Sequence, residues 1–205
     1  MPDFSEVVVA GDGKRRARAA MLAARHALWA ADRERAAGLV LAELRELVRR
    51  LRPSLATAYV PVGSEPGGPD LPGVLAAALP AAGTLLLPIL LPDLDLDWAA
   101  YREGEPLVAA GRGMREPTGP RRGVDAVSAA SLVVVPAVAV DRRGVRLGRG
   151  GGSYDRALAR VGPDALVVAP LHDGEFVDTL PAEPHDRRVH AVITPSAGLI
   201  RLPAP

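Results

Sequence analysis

Residues 132–156 read LVVVPAVAVDRRGVRLGRGGGSYDR, and the fold turns on this stretch. Its first four residues are continuously apolar and mostly β-branched, the composition of a central strand buried on both faces. The chain then runs through a glycine-rich segment, interrupted at 144–152, into Ser153-Tyr154-Asp155-Arg156, where a helix over 154–161 is expected. Strand, glycine-rich loop and helix in that order form the repeating unit of a parallel α/β sheet. Upstream, Ala and Arg dominate 14–30, with Met21, Ala24 and Leu28 spaced for one helix face. Asp32 can cap a second helix carrying Val40, Leu44, Leu47 and Leu51 on one side and closed by Pro53. Short apolar runs at 55–60 and 84–87 read as strands. Between them lie a loop with Gly63, Ser64, Gly67 and Gly68 and a helix over 70–79 capped by Asp70. Downstream, 166–169 and 189–194 supply two further strands.

Strands alternate with helices, so the class is α/β with a mostly parallel sheet. No internal repeat is visible, and proline and glycine are spread along the chain without forming a linker. Residues 1–13, with Gly11-Asp12-Gly13 and little pattern, read as a loose lead-in, and 14–205 as a single domain.

Composition narrows the function. The 205 residues are 48% hydrophobic and 24% charged, as in a soluble globular protein. There is no cysteine, which removes disulfides, thiolate zinc sites and thiol nucleophiles together. Basic and acidic residues balance, 25 against 24, which argues against a nucleic-acid partner. With two Trp, three Tyr and two Phe the core is aliphatic, and a base-stacking surface is not expected. The longest apolar runs, 85–91 and 132–140, are broken by proline and fall well short of the roughly 20 residues of a membrane helix. No basic segment followed by an apolar stretch opens the sequence, so a cytoplasmic protein without a membrane partner is expected. Lys14 is the only lysine among the basic residues, and Asn and Gln are absent.

The densest chemical signal is Arg146-Leu147-Gly148-Arg149-Gly150-Gly151-Gly152. Glycines bring backbone amides close to a ligand, and two arginines in the same loop add guanidinium forks, so a polyphosphate suits it. The segment is neither a Walker A loop nor G-x-G-x-x-G. A glycine run alone would be an ordinary surface loop; its arginines and its place between strand and helix favour an anion site. Asp155 and Asp186 are each either a local structural carboxylate or a ligand for magnesium, which on a nucleotide needs only one or two carboxylates besides phosphates and water. Lys14 and Arg18 share a helix face, which is either solvated or turned to phosphate. Glu65 lies past the C-terminal end of a strand, where open α/β sheets bind ligands, and could accept two hydrogen bonds from an amidine-like ring edge. Asp93, Asp95 and Asp97 alternate with leucines as on an exposed edge strand or loop. His26, His172, His185 and His190 lack ligand spacing and read as structural or solvent-facing. No G-x-S-x-G elbow is present, which leaves a serine hydrolase unsupported.

Taken in order, these pieces resemble the 5-formyltetrahydrofolate cyclo-ligase (5,10-methenyltetrahydrofolate synthetase) family over about residues 14–195. The most specific piece is Val135-Pro136-Ala137-Val138-Ala139-Val140-Asp141, leading through Gly144 into R-L-G-R-G-G-G-S-Y-D-R. Supporting it are the Lys14-x3-Arg18 spacing, the 60–65 loop, Met114-Arg115-Glu116-Pro117, and Leu180-Pro181 with His185-Asp186 ahead of Ile193-Thr194-Pro195. The resemblance implies a Rossmann-like three-layer α/β/α sandwich with a mixed sheet. It also implies an ATP- and Mg²⁺-dependent ligase in which the N5-formyl oxygen of 5-formyltetrahydrofolate attacks the γ-phosphate. N10 then closes the ring and phosphate leaves. Carried onto this sequence, it gives the triphosphate Lys14, Arg18, Arg146, Leu147, Gly148, Arg149, Gly150, Gly151, Gly152, Ser153 and Tyr154. Arg149 would stabilise the transferring phosphoryl. Val60, Glu65, Met114 and Tyr154 go to the folate, with Tyr154 beside the reacting centre, and Asp155 and Asp186 go to magnesium. The implied state is a monomer or weak homodimer with a small-molecule folate substrate. Three positions depart from the family's pattern: Ser153 where a first tyrosine is usual, Glu175 where Gln is common, and His190 where an acidic residue is common. A folate-binding paralogue without turnover, or another α/β enzyme of phosphorylated small molecules, stays open on the sequence alone.

Overall fold

The computed structural model describes residues 10–183 and 186–203. Helix α1 (Ala10–His26) precedes α2 (Ala30–Leu51), after which come strand β1 (Leu55–Thr57), helix α3 (Leu71–Ala78) and strands β2 (Thr84–Leu90) and β3 (Leu96–Tyr101). A small hairpin follows, β4 (Leu107–Ala109) and β5 (Arg115–Pro117), then β6 (Leu132–Val134), β7 (Ala139–Asp141) and β8 (Arg146–Leu147). Helix α4 (Ser153–Leu158), β9 (Leu166–Pro170), β10 (Phe176–Val177), β11 (Ala191–Thr194) and β12 (Gly198–Arg201) complete the order.

The main sheet has seven strands in the order β12-β11-β9-β6-β1-β2-β3. The five inner strands run parallel, and β3 and β12 pair antiparallel at the two edges. As the composition of 132–135 requires, β6 lies mid-sheet, with Leu132 opposite Ala56 on one side and Leu166 on the other. Successive side chains on a strand point to opposite faces. Leu132 and Val134 therefore meet Val40, Leu44, Leu47 and Val48 of α2 and Leu71 and Leu75 of α3, whereas Val133 joins Trp98, Val167, Ala157 and Leu158 on the other face. Each such fully buried aliphatic side chain stabilises the fold by about 2 kcal/mol relative to exposure. The sheet with a helical layer on either face is the expected three-layer arrangement, the second layer being lighter because α4 has only six residues. A second sheet, β10-β7-β8, packs through Val138, Ala139, Val145 and Leu147 against Met21 of α1. Among the described residues no helix is long and apolar enough to cross a membrane.

Several local expectations change. The helix expected from residue 14 already begins at Ala10, so Gly11-Asp12-Gly13 belongs to α1 and not to a lead-in. It ends at His26, and Trp29, not Asp32, holds the N-cap position of α2; Asp32 sits in the first turn, where a carboxylate favours the helix dipole. Leu51 is 39% exposed, and Val48 takes its place in the buried stripe. Arg52 then turns left-handed (φ 49°) ahead of Pro53, which disfavours further helix. Asp70 occupies the N-cap of α3 without a side-chain capping bond. Asp95 and Asp97 are buried, against the expected exposure. Asp95 pairs with Arg160 at 2.5 Å, a bond that holds its carboxyl below the usual carboxylate range, and Asp97 accepts from the Gly123 amide at 2.8 Å. These bonds tie the β3 edge to its neighbours.

The connections place the site. From β1 the chain crosses by α3 to β2 on one side, and from β6 it crosses by α4 to β9 on the other. The loops leaving the C-terminal ends of β1 and β6 therefore diverge at a topological switch point, where open sheets form ligand crevices.

Candidate active site

A cavity of about 480 Å³ opens at that switch point. Every residue assigned to a site from the sequence lines it, from Lys14 and Arg18 on α1, through Val60, Glu65 and Met114, to the run Arg146–Asp155 and on to Asp186. Five segments separated in sequence thus converge on one place.

The phosphate-like wall begins at the β7–β8 hairpin. Asp141 is fully buried there and accepts the Arg143, Val145 and Leu180 amides at 2.9, 3.0 and 3.1 Å, which fixes the turn. Gly144 in the turn has φ +83°, and a Cβ on it would lie 2.5 Å from the Val189 carbonyl oxygen, so only glycine fits. The hairpin delivers Arg146, whose guanidinium donates to Asp155 Oδ1 at 2.8 Å and lies 5.9 Å from the Tyr154 ring centre. Arg18 donates Nε–H to the Gly148 carbonyl at 2.7 Å, locking α1 onto the loop. Gly150 adopts φ +102° directly beside the Arg18 guanidinium.

Lys14 Nζ donates to both oxygens of Asp186, at 2.8 and 2.7 Å, and to Glu183 Oε2 at 2.9 Å. Burial pulls the amine's pKa down, and the bonds and charges of Asp186 and Glu183 more than offset it, leaving it above the usual lysine range. Arg149, half-exposed, reaches across to Glu65 Oε1 at 2.9 Å. Glu65 Oε2 accepts the Val62 amide at 2.9 Å. Burial raises the Glu65 carboxyl above the usual carboxylate range, against the opposing pull of that amide and of Arg149. Lys14, Arg146 and Arg149, all candidates for phosphate, thus each rest on a carboxylate, so the cavity is internally charge-compensated.

Opposite lies an apolar wall of Val60, Val62, Pro88, Leu90, Leu96 and Met114. Such a surface suits a flat heterocycle read at one edge by a carboxylate. Tyr154 also lines the cavity; its buried hydroxyl has no hydrogen-bond partner among the described residues, and burial holds its pKa well above the usual phenol value. A buried orphan hydroxyl in a cavity wall calls for a partner supplied by a ligand.

Asp155 and Asp186 both face the cavity, each already against a cation, and no group of three metal-ligating side chains exists among the described residues. The carboxylates fit a divalent ion that arrives with a phosphate ligand, not one held by protein alone.

Of the family departures, only Ser153 lines the cavity. Glu175 is buried against Arg25 in a bidentate pair (2.7 and 2.8 Å), and His190 Nδ1 accepts the Val167 amide at 3.1 Å. His172, expected to be structural or solvent-facing, is buried and bonds the Ser64 carbonyl; His185 lies outside the described residues. Sequence reasoning missed Tyr59, Glu183, Arg25 and His172 as contributors to the site and its surroundings. Tyr59 alone carried a signal, being one of three tyrosines and standing at the edge of the 60–65 loop.

Comparison with known proteins gives one direction. A sequence model of the 5-formyltetrahydrofolate cyclo-ligase family matches residues 10–195. The 5-formyltetrahydrofolate cyclo-ligase of Mycolicibacterium smegmatis is 45% identical over 150 residues, covering 71% of this chain and 75% of that protein. The Escherichia coli K12 cyclo-ligase is 35% identical over 119 residues, 57% of this chain and 65% of that protein. The solved structure of Aquifex aeolicus 5,10-methenyltetrahydrofolate synthetase superposes with a TM-score of 0.77 at 27% identity, covering 94% of each chain. A 5,10-methenyltetrahydrofolate synthetase from Mycoplasma pneumoniae shares the fold with a TM-score of 0.68 at 16% identity, over 87% of this chain and 96% of that one.

Proposed function

The chain belongs to the 5-formyltetrahydrofolate cyclo-ligase family, and from that premise we propose that it closes 5-formyltetrahydrofolate to 5,10-methenyltetrahydrofolate at the expense of ATP, with residues 14–205 working as one unit. One observation carries the reading. The Arg149 guanidinium touches Glu65 of the ring-reading wall while belonging to the glycine loop of the phosphate wall. The two half-sites therefore share a boundary at the group best suited to a transferring phosphoryl.

In this reading Glu65 holds the pterin edge, with Val60 and Met114 packed on the ring. Lys14, Arg18, Arg146 and the amides of 147–153 hold the triphosphate, and Tyr154 faces the reacting carbon. The N5-formyl oxygen attacks the γ-phosphorus, the bond to ADP breaks, and a phosphorylated iminium forms. N10 adds to the formyl carbon and gives up its proton, and the former formyl oxygen departs within inorganic phosphate. Phosphoryl transfer asks a protein chiefly for alignment and charge neutralisation, which this loop supplies. Asp155 and Asp186 would take a nucleotide-borne Mg²⁺, which adds positive charge against the phosphates.

The test is absorbance of the methenyl product in the near ultraviolet, with ATP and Mg²⁺ each present or withheld. Turnover that needs both supports the reading. Folded protein with fresh substrate and no product would overturn it.

A further inference from the structure

The Glu65 backbone is pinned at both of its flanking carbonyls. The Ser64 carbonyl accepts from His172 Nε2 at 2.9 Å, and the Pro66 carbonyl accepts from the Tyr59 hydroxyl at 2.6 Å. Both donors are side chains almost without exposure, His172 at 4% and Tyr59 at 2%. His172 is itself anchored, since its amide donates to Glu175 Oε2 at 2.8 Å. Glu175 is held in turn by Arg25, which also donates to the Ala137 carbonyl at 2.8 Å, and Ala137 lines the cavity. With Ser64 O as acceptor, the imidazole carries its hydrogen on Nε2.

We propose that His172 and Tyr59 are positioning residues for folate recognition: they fix the backbone on either side of Glu65, and so aim its carboxylate at the ring edge. The argument rests on the assignment of Glu65 to the folate. A loop carrying Gly63, Gly67 and Gly68, all at positive φ, has little stiffness of its own. A carboxylate that must meet two ring donors together gains from a fixed backbone, because less ordering remains to be done on binding. Neither residue bonds the phosphate wall itself, which they meet only by way of the Glu65–Arg149 pair, so the effect falls chiefly on the folate.

Steady-state kinetics with each substrate varied in turn tests this on His172→Phe, His172→Gln and Tyr59→Phe, with thermal unfolding measured alongside. Phe keeps the ring bulk and removes the donor; Gln returns an N–H near the Nε2 position. His172→Phe and Tyr59→Phe are each expected to raise the folate KM about tenfold, leaving kcat and the ATP KM within about twofold, and Gln is expected to restore most of the loss. An unchanged folate KM in both Phe variants overturns the proposal. So does a parallel fall of kcat, both affinities and thermal stability with no rescue by Gln, which marks a merely structural role. Should His172→Phe not fold, Tyr59→Phe, the loss of one oxygen, decides alone. Wild-type protein that fails to bind 5-formyltetrahydrofolate overturns the assignment of Glu65 itself, a result distinct from unaltered variants of an active enzyme.

Discussion

The two walls of the cavity are built in opposite ways. The phosphate wall has a local heart: Arg146 to Asp155 follow one another along the chain, with Lys14, Arg18 and Asp186 added from afar, and most of the work falls to backbone conformation and flexible guanidinium groups. The ring wall is assembled from afar, with Ser64 meeting His172 across 108 residues and a single buried carboxylate held by its surroundings. An anion as large and diffuse as triphosphate tolerates several arrangements of amides and arginines. The edge of a heterocycle does not, and demands one group in one place.

The sharpest test of this contrast is Arg149→Ala. It removes a half-exposed side chain and the partner of buried Glu65, whose already raised carboxyl can take up a proton instead. Unfolding should therefore shift only slightly while turnover falls about 10³-fold, as followed by product absorbance. Near wild-type turnover would break the assignment of the phosphate wall. Next is Glu175→Gln, which installs the residue common in the family. Behind the ring wall it strands the buried Arg25 charge, and urea unfolding should show a loss of about 3 kcal/mol.

Glu65→Gln comes third, with the folate KM raised about 30-fold and the ATP KM unmoved, a cost of about 2 kcal/mol. Because burial raises the Glu65 pKa, folate binding should strengthen as pH rises through that raised value, and the Gln variant should lose this limb. Stability runs the other way. A raised folded-state pKa contributes stability below the unfolded value that is lost as pH rises through the folded one. The Gln variant should therefore melt above wild type at neutral pH. The smallest effect belongs to Tyr154→Phe. Its buried hydroxyl is an orphan among the described residues, so its removal should stabilise the empty protein by about 1 kcal/mol in the same unfolding assay.

The same contrast governs what the sequence discloses. The position of β6, the stripe of α2 and the whole glycine loop are legible because each rests on neighbours a few residues apart. The sharing of one cavity by Lys14 and Asp186 is not, since 172 residues separate them and only the closed sheet brings them together. Asp95 and Asp97 look like a solvated edge because alternation with leucine reports pleat and not burial; Arg160 and the Gly123 amide, which satisfy them, lie elsewhere in the chain. Glu175 looks like a weakened family position until its buried partner on α1 is known. Charge pairs across long separations leave no periodicity to read.

Lys14, finally, is the sole lysine of 205 residues, every other basic side chain being arginine. Amine-directed reagents thus meet one side chain, and that side chain stands in the cavity wall against two carboxylates. Its raised pKa keeps it protonated and slow to acylate until those carboxylates are disturbed. In most proteins a dozen surface lysines would drown such a signal. Here the increment on the Lys14 peptide, kept apart from the one on the more readily acylated α-amine, follows the state of the cavity with no engineered label.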